Sequence, residues 1–350
     1  MKPFVVRHEA KRSAVLALWT LCLLLLAACR APGATRPTVK IGLVAPFEGR
    51  YRYVGYGLFA AVRLALREAN AAGGVAGYSV ELVAYDDGAD PEMARQQAEK
   101  LAVDPQVVVV IGHFREGTTR AALPVYAREG LPLLAPAVLD PALTSGPGTA
   151  VRIGPDADAL AARMLEGVTE AGLITDGGPL GEALIRVAAA RGRALRPLGP
   201  PADVARQRDL PPTLFCDAPP VDCGALLVAL RARGWAGEFV GGPDLAADEF
   251  RAVAGDAAAT ARVVTPWPHP RSLPDCAGFV AACTEISLGI PPGDLALPAY
   301  AAARHALRAV EWAIARDGKP SRPGVAAALT ALAAEPLVYP CGGWTTDHRP

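Results

Sequence analysis

Residues 107–119 read VVVVIGHFREGTT, and they decide the fold. Five consecutive β-branched residues, Val107 to Ile111, leave no polar face, so the strand they form is covered on both sides, as in a parallel sheet packed between helices. Gly112 ends the run, and residues 118–128 place apolar side chains at helical spacing. Strand, turn and helix follow one another. A turn so placed lies at the carboxyl end of a sheet strand, where open α/β folds bind their ligands.

Outward from this stretch the same unit recurs. Residues 39–45 (VKIGLVA), 78–85 (YSVELVAY) and 131–135 read as strands, with helices over 58–72 and 91–103 between them. A second series follows, with helices over 157–171, 180–191 and 225–233 and short strands at 213–216, 238–240 and 263–265. Long helices are expected over 275–288 and 297–316. In this second half the strand around Leu173-Ile174 reads as shortened or lost. The alternation predicts an α/β protein built as two doubly wound parallel-sheet lobes.

The amino terminus fixes the compartment. Lys2, Arg7, Lys11 and Arg12 precede an apolar run over 14–28 that stops at Cys29. A basic head before a short apolar stretch is the layout of an export signal, too short to span a bilayer permanently. Leu26-Ala27-Ala28-Cys29 resembles a bacterial lipobox, which implies cleavage of residues 1–28 and lipid attachment at Cys29, with 29–38 as tether. An uncleaved anchor helix is the plainer alternative, and it too leaves the body of the chain outside. Loss of residues 1–28, with four Lys/Arg and one acid, leaves 31 basic against 34 acidic residues. That balance, without a Lys/Arg block, argues against a nucleic-acid partner.

Five cysteines remain beyond Cys29: Cys216, Cys223, Cys276, Cys283 and Cys341. They allow at most two bridges and one free thiol. Cys216 and Cys223 flank a Pro-Pro turn and can close a small loop. Cys276 and Cys283, seven apart in an expected helix, are separated by a rise of about 10.5 Å, beyond disulfide reach. No CxxC pair occurs, so neither a zinc site nor any other metal or cofactor is expected.

VKIGLVAPFEG at 39–49, REANAAGGVAGYSVELVAYDDGADPEMA at 67–94, VVVVIGHFREGTT at 107–119, EGLPLLAPAVLDPALT at 129–144, LRARGWAGEFVGG at 230–242 and AGDAAATARVVTPWP at 254–268 together resemble, in order and spacing, the branched-chain amino acid binding protein family of the type I periplasmic-binding fold. The resemblance runs from about Val39 to the carboxyl terminus. It implies two lobes joined by a three-stranded hinge with crossings near Arg152, Thr265 and Glu335. Lobe 1 would be 39–152 plus 266–335, and lobe 2 would be 153–265 plus 336–350. It also implies a monomer that captures an amino acid or related small polar solute by hinge closure and delivers it to ABC permease subunits.

The pocket positions depart from that family. Members hold the ligand's carboxylate and ammonium with a Ser in the third turn and a Thr in the fourth. The matching positions here are Glu116 and Leu139, with Ala137 at the backbone-carbonyl position. Aromatic positions become Val54, Leu180 and Pro219, with Tyr51 and Tyr53 close enough to substitute. The acidic contact to the ammonium maps to Pro243 or Asp244. Arg115, Gly117, Thr118 and Asp217 complete the expected lining. A buried carboxylate at Glu116 opposes a carboxylate ligand. Three readings follow: a shift of one or two residues lets Thr118 or Thr119 supply the hydroxyl, Arg115 pairs with Glu116, or the ligand brings a donor or cation, as an amide, urea-like compound or amine does.

Other functions have weaker signals. Residues 55–60 (GYGLFA) fit the dinucleotide fingerprint GxGxxA, but about ten residues separate them from the strand that should precede them directly. No GxSxG, HExxH or Walker sequence is present. Asp86-Asp87 reads as a solvated turn capping the next helix, and His113 as a hydrogen-bonding or packing group on a cleft turn. A ligand-sensing receptor feeding a signalling partner is the main alternative, because the same fold serves both outputs.

Overall fold

The computed structural model describes residues 36–145, 150–332, 335 and 337–341; the expected signal peptide, Cys29 as the expected site of lipid attachment and most of the expected tether lie outside them. Two five-stranded sheets, every pairing parallel, carry the fold. The first has the order β2-β1-β3-β4-β5, built from β1 (Thr38–Ala45), β2 (Ser79–Asp86), β3 (Val107–Ile111), β4 (Leu133–Ala135) and β5 (Ala150–Arg152). The second has the order β10-β9-β8-β6-β7, from β6 (Glu170–Thr175), β7 (Ala194–Pro197), β8 (Thr213–Asp217), β9 (Glu238–Gly241) and β10 (Ala261–Val263).

All five residues of β3 are buried, because helices cover both faces of the sheet. The crossovers of the first sheet are α1 (Arg52–Ala71), α2 (Pro91–Val103) and α3 (Glu116–Arg128). Asn70, near the end of α1, clamps β2 by accepting from the Val80 amide and donating to its carbonyl. The second sheet is wound by α4 (Ala157–Met164), α5 (Pro179–Ala190), α6 (Pro201–Val204), α7 (Pro220–Ala232) and α8 (Asp248–Ala254). The chain then returns to the first sheet with α9 (Ala277–Ile286), α10 (Ala296–Asp317) and α11 (Arg322–Leu332). Buried faces of α10 and α11 join β1 and β3 in one apolar cluster that also takes Cys276, Cys283 and Cys341. The second sheet has its own two clusters, one on each face.

Three expectations need correction. The strand at Leu173-Ile174 is neither short nor lost: β6 runs six residues inside the second sheet, between β8 and the edge strand β7, with four of them buried. The helix predicted over 157–171 stops at Met164, and a turn through Gly167 at φ 74° redirects the chain into β6; the apolar residues beyond it suit a buried strand as well as a helix. Residues 336–350 were expected in the second lobe, yet Leu337, Tyr339 and Cys341 pack on the first lobe's core, and Cys341 is bonded to Cys276 there. The other bridge joins Cys216 to Cys223, and Cys283 is a buried free thiol.

The dinucleotide fingerprint dissolves into packing. Gly55 and Gly57 lie inside α1, where Gly55 sits on the Pro46 carbonyl and Gly57 abuts Gly293, each leaving too little room for a Cβ. A cradle needs such glycines in the turn before the helix, with their amides free.

Candidate functional site

The turns that follow β1, β3 and β4 face the turns that follow β6, β8 and β9 across a cavity of roughly 400 Å³. That volume suits a small solute. All eleven expected lining residues meet there: Tyr51, Tyr53, Arg115, Glu116, Gly117, Thr118, Ala137 and Leu139 from the first sheet's turns, and Leu180, Asp217 and Asp244 from the second's. Asp176, Trp267 and Asp294 also line the cavity, and none of them is among the residues expected there. Asp294 sits just before α10, on the return segment. The Gly293-Asp294 pair ahead of a long helix was the available signal.

Beneath the first wall runs a fully buried polar chain. His113 Nδ1 lies 2.7 Å from Asp87 Oδ2, and its Nε2 lies 3.0 Å from the Tyr126 hydroxyl. Asp87 is therefore not on a solvated turn, as its sequence suggests; α2 is capped instead by Asp90, which accepts from the Met93 amide. Asp86 ties the β1 and β2 turns together by accepting from the amides of Phe47 and Gly88. These bonds fix the path of residues 112–115, and hence where α3 begins.

α3 has no side-chain cap, so its first-turn amides at Glu116, Gly117 and Thr118, three residues that line the cavity, lack intrahelical partners. The Thr118 and Thr119 hydroxyls both donate to the Arg115 carbonyl, at 3.0 and 2.8 Å, so the shifted register gives no free hydroxyl donor. Glu116 turns sideways instead. Its Oε1 accepts from the amides of Leu139 at 2.6 Å and Asp140 at 3.3 Å, while Oε2 is buried without a partner. Burial pushes its carboxyl pKa up against the pull of those two amides.

Arg115 does not pair with Glu116. Its Nη1 reaches across the cavity to both carboxylate oxygens of Asp244, at 3.2 and 3.1 Å, and its guanidinium stacks 4.2 Å from the centre of the Tyr51 ring. Adjacency in sequence is misleading here, because Arg115 caps the strand side of the turn in an extended conformation (φ −135°) while Glu116 has entered the helix. The Tyr53 hydroxyl is buried with no partner, and burial together with Asp244 raises its pKa.

The opposite wall is acidic. Asp217 accepts from the Thr175 hydroxyl at 2.9 Å and from the Gly181 amide in the first turn of α5, which also lacks a side-chain cap. Burial, with Asp244 and Asp176 nearby, pushes Asp217 up to about 6. Burial beside Asp244 likewise pushes Asp294 up to about 7. The Cys216–Cys223 bridge pins the segment between them, so Asp217 is held from both sides. Among the described residues no group of three or more His, Cys, Asp or Glu could hold a metal ion.

At the joint between the lobes, Gly154 has φ 114° and the Trp267 ring packs where its Cβ would stand. Trp267 Nε1 donates to the Tyr339 hydroxyl at 3.1 Å. Crossings at 152–154 and 264–267 thus lean on one another. At the rim, Arg50 and Asp222 form a second ion pair between the lobes, at 2.5 Å.

A family profile described as periplasmic binding protein matches residues 38–350. Over 112 residues the chain is 35% identical to Leu/Ile/Val-binding protein homolog 2 of Brucella abortus (strain 2308), a stretch that covers 32% of this chain and 30% of that one. Over 108 residues it is 36% identical to the leucine-, isoleucine-, valine-, threonine-, and alanine-binding protein of Pseudomonas aeruginosa, covering 31% and 29% of the two chains. The matched stretch is thus under a third of either relative's length. The fold is similar to that of a possible leucine/isoleucine/valine-binding protein from Rhodopirellula baltica SH 1 (TM-score 0.74, 20% identity, 89% and 90% of the chains covered). It is also similar to a solute binding protein of ABC transporter from Rhodopseudomonas palustris BisB5 in complex with 3,4-dihydroxy benzoic acid (TM-score 0.70, 22% identity, 83% and 85% covered).

Proposed function

Since this chain belongs to the periplasmic binding protein family, we propose that it is the extracytoplasmic receptor of an ABC-type importer, capturing an amino acid or a related small polar solute, such as an amide, urea-like compound or amine, between its lobes. The observation that carries this reading is a cavity to which both sheets contribute the turns at their carboxyl ends. Capture is a binding event in which no bond is made or broken. The solute fills the gap, bridges the two walls and makes the closed arrangement the favoured one, which a permease then reads. Lipid on Cys29 would keep the receptor at the membrane, and the receptor works as a monomer.

Isothermal titration against amino acids, amides and amines, paired with small-angle scattering, tests the reading. A binding solute that also lowers the radius of gyration is the expected result. A panel that gives neither heat nor compaction refutes it.

A further inference from the structure

We propose that the solute taken by this cleft is a small organic amine carrying net positive charge, and that the Arg115 guanidinium occupies that cation's seat in the empty receptor. The inference rests on the receptor reading above and narrows its ligand class.

Charge count makes the first part of the case. Among the described residues, five acidic side chains line the cavity, those of Glu116, Asp176, Asp217, Asp244 and Asp294, against Arg115 as the one Lys or Arg. A zwitterion adds no charge to this balance and a carboxylate ligand worsens it, whereas an ammonium group relieves it. Glu116 itself stands in the first turn of α3, where a ligand carboxylate would otherwise draw on the free amides.

Geometry makes the second part. The seat already holds a cation: Arg115 lies between both oxygens of Asp244 and the face of Tyr51, a carboxylate and an aromatic ring set to receive positive charge. Two residues of the lining, Tyr53 and Glu116, each also keep a buried polar atom without a partner, the Tyr53 hydroxyl and Glu116 Oε2, and both can accept ammonium protons. Arg115 enters from the loop at the mouth of β3, with its side chain about a quarter exposed, so it can swing out when another cation arrives.

The sign of one substitution separates this from the obvious rival, in which Arg115 is a receptor for a ligand carboxylate. Titrate the wild-type protein and Arg115→Gln with 1,4-diaminobutane, butylamine, L-leucine and 3,4-dihydroxybenzoate. The diamine should bind wild type most tightly, and Arg115→Gln should bind it on the order of tenfold more tightly still, because the resident competitor is gone. Asp244→Asn should lose on the order of tenfold in diamine affinity while its melting temperature stays near that of wild type. If leucine or dihydroxybenzoate binds and the amines do not, or if Arg115→Gln weakens diamine binding, the inference is overturned and the receptor reading survives. If none of the four probes binds either protein, the inference is overturned, and the receptor reading is decided separately by the wider panel of amino acids and amides.

Discussion

Glu116 has two oxygens with different surroundings. Oε1 holds the Leu139 and Asp140 amides, and so fixes the turn after β4 against the start of α3. Replacing it with leucine leaves a buried amide unpaired, at a cost of about 1–3 kcal/mol. A drop in thermal stability with the fold retained by circular dichroism is the expected outcome, and Glu116→Gln, which keeps an acceptor, should recover most of it. Asp217 and Asp294 predict a pH dependence with a definite sign. Asp217 faces Thr175, the Gly181 amide, Asp176 and Asp244; Asp294 faces Asp244, the Leu295 amide and, more distantly, Arg251. Both carboxyls are held at about 6 and about 7 in the fold, above ordinary carboxylate values, so the native state binds more protons than the unfolded chain. Their contribution is therefore present at low pH and is lost as pH rises through about 6 to 7. Melting curves from mildly acidic to neutral pH should show destabilisation on the order of 1–3 kcal/mol from these groups. Asp294→Asn should flatten that slope; an unchanged slope counts against the assignment.

At the scale of elements, the Cys216–Cys223 bridge spans only seven positions and joins the end of β8 to the first turn of α7. A loop this small gives a modest entropic gain, about 2 kcal/mol. Its second consequence is local, since Asp217 lies inside the loop. Cys223→Ser should lower the melting temperature by several degrees and weaken solute binding, as titration of the variant would show. The joint between lobes rests on Gly154, whose φ of 114° and contact with Trp267 exclude a side chain. Gly154→Ala should push Trp267 off its seat and alter closure, read as a changed scattering profile with the solute-free protein still folded. β6 shows how local pattern misleads. Residues 168–174 are apolar enough to extend α4, and the turn at Gly167 decides otherwise.

For the whole molecule, the ion pairs that span the lobes among the described residues include Arg115–Asp244 inside the cavity, Arg50–Asp222 at the rim and Arg271–Asp248 beside the second lobe's α8. The rim pair is about half exposed and so is open to salt screening, whereas the inner pair is shielded. Raising the salt to about 1 M, where the Debye length falls to about 3 Å, should loosen the solute-free receptor, and Arg50→Ala should do the same at low salt. Scattering measures both, and an identical radius of gyration under every condition would argue that these pairs do not hold the lobes.

The amino-acid sequence by itself determined the parallel sheets, because five buried β-branched residues at 107–111 and apolar runs of strand length between helical repeats admit no other layering. It also determined which turns line the cavity, since turns at the carboxyl ends of strands converge whatever their side chains are. Which partner each side chain takes was settled only in three dimensions. Arg115 is next to Glu116 in the chain yet bonds Asp244, 129 positions away, and the carboxylate of Asp294 reaches the cavity from a segment that belongs to neither expected wall. Periodicity is a local property and survives in one dimension, while charge pairing and burial depend on distances that exist only after both sheets have closed on each other.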